Sequence, residues 1–342
     1  MRRIDDLSFE ELKGVLLEIN EPKFKANQIF DWIHNKTADN YDDMTNVSKK
    51  TKEELKKEHE FTKANIELKL QSKLDETKKY VIKFEDENIV ESVFLKYKFG
   101  NTACISSQVG CKMGCHFCAS TKNGFIRNLT SAEMLKQIYL IQKDINEKIS
   151  NVVIMGSGEP LENFDNIVRF LNIINDEKGQ NISMRKITLS TSGIVPNIYR
   201  LADENIPITL AVSLHAPTQE KREQIMPIAR KYKLPDILKA CDYYIKTTGR
   251  RITFEYIMIK GFNDSQEDAL TLSKILENKL ANVNLIPCNY VKEADIKPSG
   301  DSDIMKFKKV LSDNGINATV RRELGSDINA ACGQLRNDLL KM

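Results

Sequence analysis

The chain has 342 residues, 41% hydrophobic and 29% charged, with a formal net charge of +3. That size and balance fit one barrel-sized soluble unit with an appendage, and no run approaches the ~18 apolar residues of a membrane-spanning helix. The basic start at Arg2 and Arg3 turns acidic at Asp5 and Asp6 without the apolar stretch of a secretory signal, so the cytoplasm is expected, and the charge is too small to announce nucleic acid by itself.

The first 60 residues read as helices. Leu12, Val15, Leu16 and Ile19 recur at helical spacing, and Phe24, Gln28, Ile29, Trp32 and Ile33 form a second stripe after Pro22. Residues 48–60 make a charged third segment with Ser48 as its cap. Between 61 and 100 the period drops to two. Stretches 66–70, 80–84 and 90–95 alternate apolar and polar residues, which predicts an antiparallel extension. From about residue 101 strands and helices alternate. Candidate strands are 102–107, 151–156, 185–190, 207–213, 251–257 and 282–287, with a later piece at 316–320. Helical patterns near 131–144, 163–175, 234–246, 265–279 and 302–314 separate most of them. Such alternation implies parallel strands with crossover helices. About six units are too few for a closed eight-stranded barrel, so an open, partial (β/α) barrel is expected.

Seven cysteines in a reducing compartment read as metal ligands, reactive thiols or core residues rather than as disulfides. Three lie in Cys111-Lys112-Met113-Gly114-Cys115-His116-Phe117-Cys118, a C-x3-C-x2-C spacing just after a candidate strand. Thiolates this close repel one another unless a cation neutralises them. Zinc usually draws four ligands from two separated pairs, and no second pair is present, although His116 could complete such a site from inside the motif. A four-iron cluster held by three cysteines keeps one iron open, and the amino and carboxylate groups of a methionine moiety fit there.

A glycine-rich stretch, Met155-Gly156-Ser157-Gly158-Glu159-Pro160, follows the next candidate strand. Its glycines permit close backbone approach, and a carboxylate at a strand's C-terminal end can hold an ammonium group. Three further strand ends are polar: Ser190-Thr191-Ser192-Gly193, Ser213-Leu214-His215, and Asn289 after Ile286-Pro287. Each alone is an ordinary loop, but together they converge on the face where barrel active sites sit.

With these motifs in order, the chain resembles the radical S-adenosylmethionine (SAM) enzymes, including the aromatic Phe117 before the last cysteine. Among them it resembles the dual-specificity rRNA and tRNA adenine-C2 methyltransferases (RlmN), relatives of the C8 methyltransferase Cfr. The likeness runs over nearly the whole length. It is carried by residues 103–111, Gly158-Glu159-Pro160-Leu161, Leu189-Ser190-Thr191-Ser192-Gly193, Ser213-Leu214-His215-Ala216-Pro217, Asn284-Leu285-Ile286-Pro287 and residues 327–335 around Cys332.

The resemblance implies a partial (β/α)6 TIM-like barrel of radical SAM type over 101–320. Around it would sit a helical accessory module binding RNA (1–60), a β extension (61–100) and a C-terminal loop segment carrying Cys332 (321–342). It further implies a [4Fe–4S] cluster on Cys111, Cys115 and Cys118, with SAM contacts at Gly158, Glu159, Ser190, Ser213, Leu214, His215 and Asn289. Two SAM molecules would serve each turnover. One would methylate Cys332. The second, cleaved by one electron, would yield a 5′-deoxyadenosyl radical that takes a hydrogen from that methyl group, and the carbon radical left would add to the electron-poor C2 of adenine. The C2 proton, accepted by Glu91, and one electron would then be lost, and a transient Cys104–Cys332 disulfide would release the product. Implied partners are 23S rRNA, tRNA at the adenosine 3′ of the anticodon, and an electron donor such as flavodoxin or ferredoxin, with the enzyme a monomer.

Read without that resemblance, Cys104 and Cys332 are ordinary buried thiols, Glu91 is an exposed strand carboxylate, and Cys241 and Cys288 belong to the core. Val109 and Ser192 resemble the C2 group. C8 methylation and a non-catalytic, metal-bearing RNA-binding module are the alternatives.

Overall fold

The computed structural model describes residues 2–288, 296–330 and 333–335, so Asn289 and Cys332 lie outside the described residues. The N-terminal apolar stripes become α1 (Phe9–Glu18), α2 (Lys25–Phe30) and α3 (Lys49–Glu58). Ser8 caps α1 by accepting from Glu11 N, while the Glu11 carboxylate accepts from Ser8 N. Ser48 caps α3 by accepting from Thr51 N. Leu12 and Leu16 of α1 are fully buried, and Val15 and Ile19 pack beside them.

The period-two stretches fold as β1 (Ala64–Gln71), β2 (Lys78–Phe84) and β3 (Ile89–Tyr97), followed by β4 (Gly100–Ile105). Each pairs antiparallel with the next. A short hairpin of β5 (Gln108–Gly110) and β6 (Phe125–Asn128) comes next. The alternating units are then α4 (Ser131–Ile145), β7 (Asn151–Ile154), α5 (Phe164–Asn175), β8 (Ile187–Thr191), α6 (Val195–Asp203), β9 (Thr209–Ser213), α7 (Gln219–Ile225), α8 (Leu234–Thr248), β10 (Ile252–Met258), α9 (Gln266–Leu276), β11 (Ala281–Pro287), α10 (Asp301–Asp313) and β12 (Ala318–Val320). Among the described residues ten strands form one sheet in the order β1-β2-β3-β4-β7-β8-β9-β10-β11-β12. From β4 to β12 all pairing is parallel. The edge strands β1 and β12 are not partners in that order, so the sheet is open. It is the expected partial barrel, and the antiparallel strands are its direct continuation, because β3 hydrogen-bonds to β4 in register (Val93 opposite Cys104). No helix among the described residues is long and apolar enough to cross a membrane.

The N-terminal helices share one apolar core with the barrel helices. Polar contacts fix the joint. Asp6 accepts from Ala132 N (3.1 Å) and from the Ser131 hydroxyl at the start of α4. Arg169 on α5 reaches Glu11 (2.8 Å), and His34 shares a hydrogen bond with Tyr139 (2.7 Å). Asp5 is buried and accepts from the backbone (3.1 Å) and hydroxyl (2.9 Å) of Thr62, with buried Lys136 at 3.7 Å. Asp5→Ala should therefore leave a dry N–H and hydroxyl on Thr62 without an acceptor and cost about 2 kcal/mol. Lys136 keeps Asp39 at 3.0 Å, which limits the loss. Urea unfolding measures it, and a midpoint equal to that of the parent would refute the assignment.

Candidate active site

The cysteine loop hangs between the strands of the β5–β6 hairpin and is tied down at several points. Cys111 N donates to Gly124 O (3.0 Å) and His116 N to Ile225 O at the end of α7 (3.0 Å). Ala119 N donates to Gly333 O of the C-terminal segment (2.8 Å). Cys111 and Cys115 are buried and Cys118 is half-buried. Burial pushes the Cys111 thiol up to about 12 and raises Cys115 well above its ordinary range, and in each case the neighbouring cysteines add to the rise. Three thiolates in this setting need a cation to remain ionised. His116 is exposed and does not border the cavity, which agrees with a solvated loop histidine rather than a fourth ligand.

All three cysteines border a cavity enclosing about 920 Å³ of empty space, measured out to open solvent. That is ample for a small ligand beside a cluster. Among the described residues no group of three or more His, Cys, Asp or Glu side chains is arranged to hold a single metal ion. Donors of one soft type around a roomy, largely apolar cavity fit a polynuclear iron–sulfur body.

The glycine-rich stretch forms the opposite wall. A Cβ on Gly156 would lie 2.8 Å from the Ile105 carbonyl carbon and oxygen, and one on Gly158 (φ +109) would lie 2.6 Å from Gln108 Cβ. Both positions thus require glycine, because the ends of β4 and β7 touch there. Two buried side chains lock this contact. The Ser106 hydroxyl accepts from Ser157 N (2.9 Å) and donates to Glu91 O (2.7 Å), while Gln108 Oε1 accepts from Glu159 N (2.8 Å).

Glu159 is almost fully buried. Its carboxylate accepts from Leu161 N (3.0 Å), Thr191 Oγ1 (2.7 Å) and Ser192 N (2.6 Å). Burial raises its pKa, opposed by these donors. Of these three donors two bind Oε1 and one, the Ser192 amide, binds Oε2, which leaves Oε2 acceptor capacity toward the cavity. Gly158, Ser190, Ser213 and His215 border the same space, whereas Leu214 is fully buried behind it. His215 sits at φ +59, and its Nδ1 accepts from Ile257 N (3.0 Å). That bond assigns the ring proton to Nε2, and burial pushes the ring down to about 3, so it is a neutral donor at physiological pH. Phe117 meets its ring edge-on at 4.6 Å between centroids.

Glu91 and Cys104 lie apart from this wall. They share one face of the sheet with Val93 and Leu95, beneath Leu324, Ala330 and Leu335. Glu91 is buried and paired with Lys79 (2.8 Å), whose Nζ also donates to Asn329 O (3.2 Å). It is not the exposed carboxylate that its strand pattern suggests, because it lies opposite Val81 of β2 and its partner Lys79 is bonded to Asn329 of the C-terminal segment. Gly333, two residues before Leu335, borders the cysteine cavity. Three further residues reach the site without a sequence signal. Buried Glu255 on β10 accepts from Asn284 Nδ2 (2.9 Å) and borders the cavity with Arg321. Arg222 of α7 donates to Ser192 O (2.6 Å).

Comparison with known proteins agrees with this geometry. The family model described as the radical SAM superfamily matches residues 105–272, and that of the ribosomal RNA large subunit methyltransferase N-terminal domain matches residues 4–61. The crystal structure of a radical SAM methyltransferase from Sphaerobacter thermophilus is similar with a TM-score of 0.94 and 39% identity, covering 98% of this chain and 99% of that one. Fold and site therefore define a radical SAM methyltransferase, a class that implies a [4Fe–4S] cluster and SAM. A probable dual-specificity RNA methyltransferase RlmN from Clostridium novyi (strain NT) is 52% identical over 100% of this chain and 99% of its own length. Its counterpart in Clostridium botulinum (strain Eklund 17B / Type B) is 53% identical over 100% and 98%. The chain belongs to this RlmN family of dual-specificity RNA methyltransferases.

Proposed function

We propose that this protein methylates C2 of an adenosine in 23S rRNA and of the adenosine 3′ of the anticodon in tRNA, in the cytoplasm and as a monomer. The observation that carries the reading is the position of the C-terminal segment. Ala330 and Leu335 cover Cys104, while Gly333 between them borders the cavity of Cys111, Cys115 and Cys118. Cys332 adjoins Gly333 in sequence, and in this reading its methyl-bearing sulfur must meet both the cysteine cavity and Cys104.

In this reading Cys111, Cys115 and Cys118 hold the cluster. When bound, such a cluster would supply one electron, received from a flavodoxin- or ferredoxin-type donor, for the cleavage of SAM. Glu159 holds the ammonium of that SAM, and Gly158, Ser190, Ser213, His215 and Asn289 hold the rest, with Leu214 shaping the strand end behind them. Cys332 receives the methyl group of another SAM and presents it to the base. Once a hydrogen is taken from that methyl group, its carbon adds to C2, Glu91 accepts the C2 proton, and one electron passes back to the one-electron donor. Cys104 attacks the sulfur of Cys332, the S–S bond forms, and the bond from sulfur to the transferred carbon breaks, that carbon keeping the electron pair and taking a proton to become the methyl group. A base inside folded RNA must leave its stack to enter such a cavity.

Digestion of RNA treated with the reconstituted enzyme, followed by mass spectrometry of its nucleosides, tests the reading. C2-methyladenosine in both RNAs is expected. C8-methyladenosine would replace the proposal with the Cfr-type alternative, and no methylated adenosine would refute both. Glu159→Gln should raise the Kd for SAM at least tenfold, ~1.4 kcal/mol, with iron content unchanged. Calorimetry on the reconstituted protein measures this, and an unchanged Kd would remove Glu159 from the ammonium site.

A further inference from the structure

Helix α7 is polar along its length, yet Arg222 on it is completely buried. An arginine keeps its charge in proteins, and a dry, isolated cation is costly. Its Nη2 donates to Ser192 O (2.6 Å) and Ser213 O (3.2 Å), clamping the ends of β8 and β9. That uses one of three nitrogens. Nε and Nη1 are buried with no hydrogen-bond partner among the described residues. No carboxylate forms an ion pair with it there either. Ser192 and Ser213, whose carbonyls it holds, both border the cysteine cavity, so a charge arriving there lies within its field. The buried thiol of Cys241 on α8 also feels Arg222, but burial raises it to about 12, so it is neutral. The cysteine loop is bonded to the same helix end, through His116 N to Ile225 O (3.0 Å).

We propose that Arg222 is the built-in countercharge of the cluster: its two unused N–H nitrogens leave an uncompensated positive charge behind the cavity wall, on the helix bonded to the cysteine loop, and that charge favours the reduced, more negative state. This rests on the reading that Cys111, Cys115 and Cys118 hold a four-iron cluster. Two backbone carbonyls could be clamped by a neutral amide at far lower desolvation cost. What requires a full positive charge in this dry place is a negative charge arriving beside it. Reduction adds one electron to the cluster, so a fixed cation raises the reduction potential, and its removal lowers it. Arg222 is thus a positioning residue for charge, and it does not touch the RNA in this account.

The experiment is an EPR-monitored redox titration of the anaerobically reconstituted full-length protein, with iron and sulfide assayed first. Arg222→Gln should shift the reduction equilibrium at least tenfold toward the oxidised cluster, 59 mV for one electron, while Arg222→Lys stays near the parent. Equal potentials in all three, at equal iron content, would overturn the countercharge and leave only the strand clamp. Should the glutamine variant not hold a cluster, parent enzyme labelled with [15N]arginine decides. A nitrogen coupling to the reduced cluster, lost in Arg222→Lys, is expected, and its absence overturns the proposal. A parent that takes up no cluster at all refutes the cluster reading and this inference together.

Discussion

Cys115→Ala, purified without oxygen, should lack the visible absorbance of an iron–sulfur cluster and lose methyl transfer by three orders of magnitude or more, ~4 kcal/mol on the barrier. Cys115 is the buried middle thiol of the loop, and its neighbours are placed by bonds to the hairpin and to α7. Removing it leaves two thiols, which cannot hold three corners of a cube. The fold should survive, since the loop is also anchored by backbone bonds from Cys111 N and Ala119 N. Cys241→Ala is the matched control. Cys241 is fully buried in α8 and does not border the cavity, so it should keep cluster and activity and cost ~1 kcal/mol of stability. Iron and sulfide analysis with circular dichroism separates the two. A Cys115→Ala protein with full iron content would remove this residue from the ligand set.

The barrel strands were legible because each is a short apolar run with a polar end, and β1 to β3 were legible from their period of two. Helix α7 was not. Only Arg222 and Ile225 of its seven residues are buried, so no apolar stripe marks it. Its key residue reads as surface charge until the fold removes it from water. Helix α6 begins with Val195-Pro196 and buries only Ile198, Leu201 and Ala202, too brief a stripe to stand out. The β5–β6 hairpin consists of two very short strands around the cysteine loop, below the length at which alternation can be recognised. Within the site, the cysteines and glycines announce themselves by spacing. Gln108, Ser106 and Glu255 act through partners 15 to 51 residues away in sequence, and only the fold brings those partners together.

The same distinction governs Cys104, whose surroundings no local pattern reveals. Cys104→Ala should trap RNA on the protein as a covalent adduct that survives denaturation, and multiple-turnover methylation should fall at least a hundredfold, ~2.7 kcal/mol. Cys104 sits opposite Val93 on β4, buried in the small apolar cluster with Leu95, Leu324, Ala330 and Leu335. Its Sγ is therefore beneath the segment that carries Cys332, as a resolving thiol must be if it is to break the bond between that sulfur and the transferred carbon. Alanine preserves the apolar packing, so folding and cluster content should be close to those of the parent. On the proposed mechanism Cys332 would then keep its load, and the first turnover would be the last. The double variant Cys104→Ala/Cys332→Ala should form no adduct, which distinguishes attachment at Cys332 from incidental cross-linking. Denaturing gels with labelled RNA measure both. Free methylated RNA at the parent rate from Cys104→Ala, with no slow-migrating band, would show that another group resolves the intermediate.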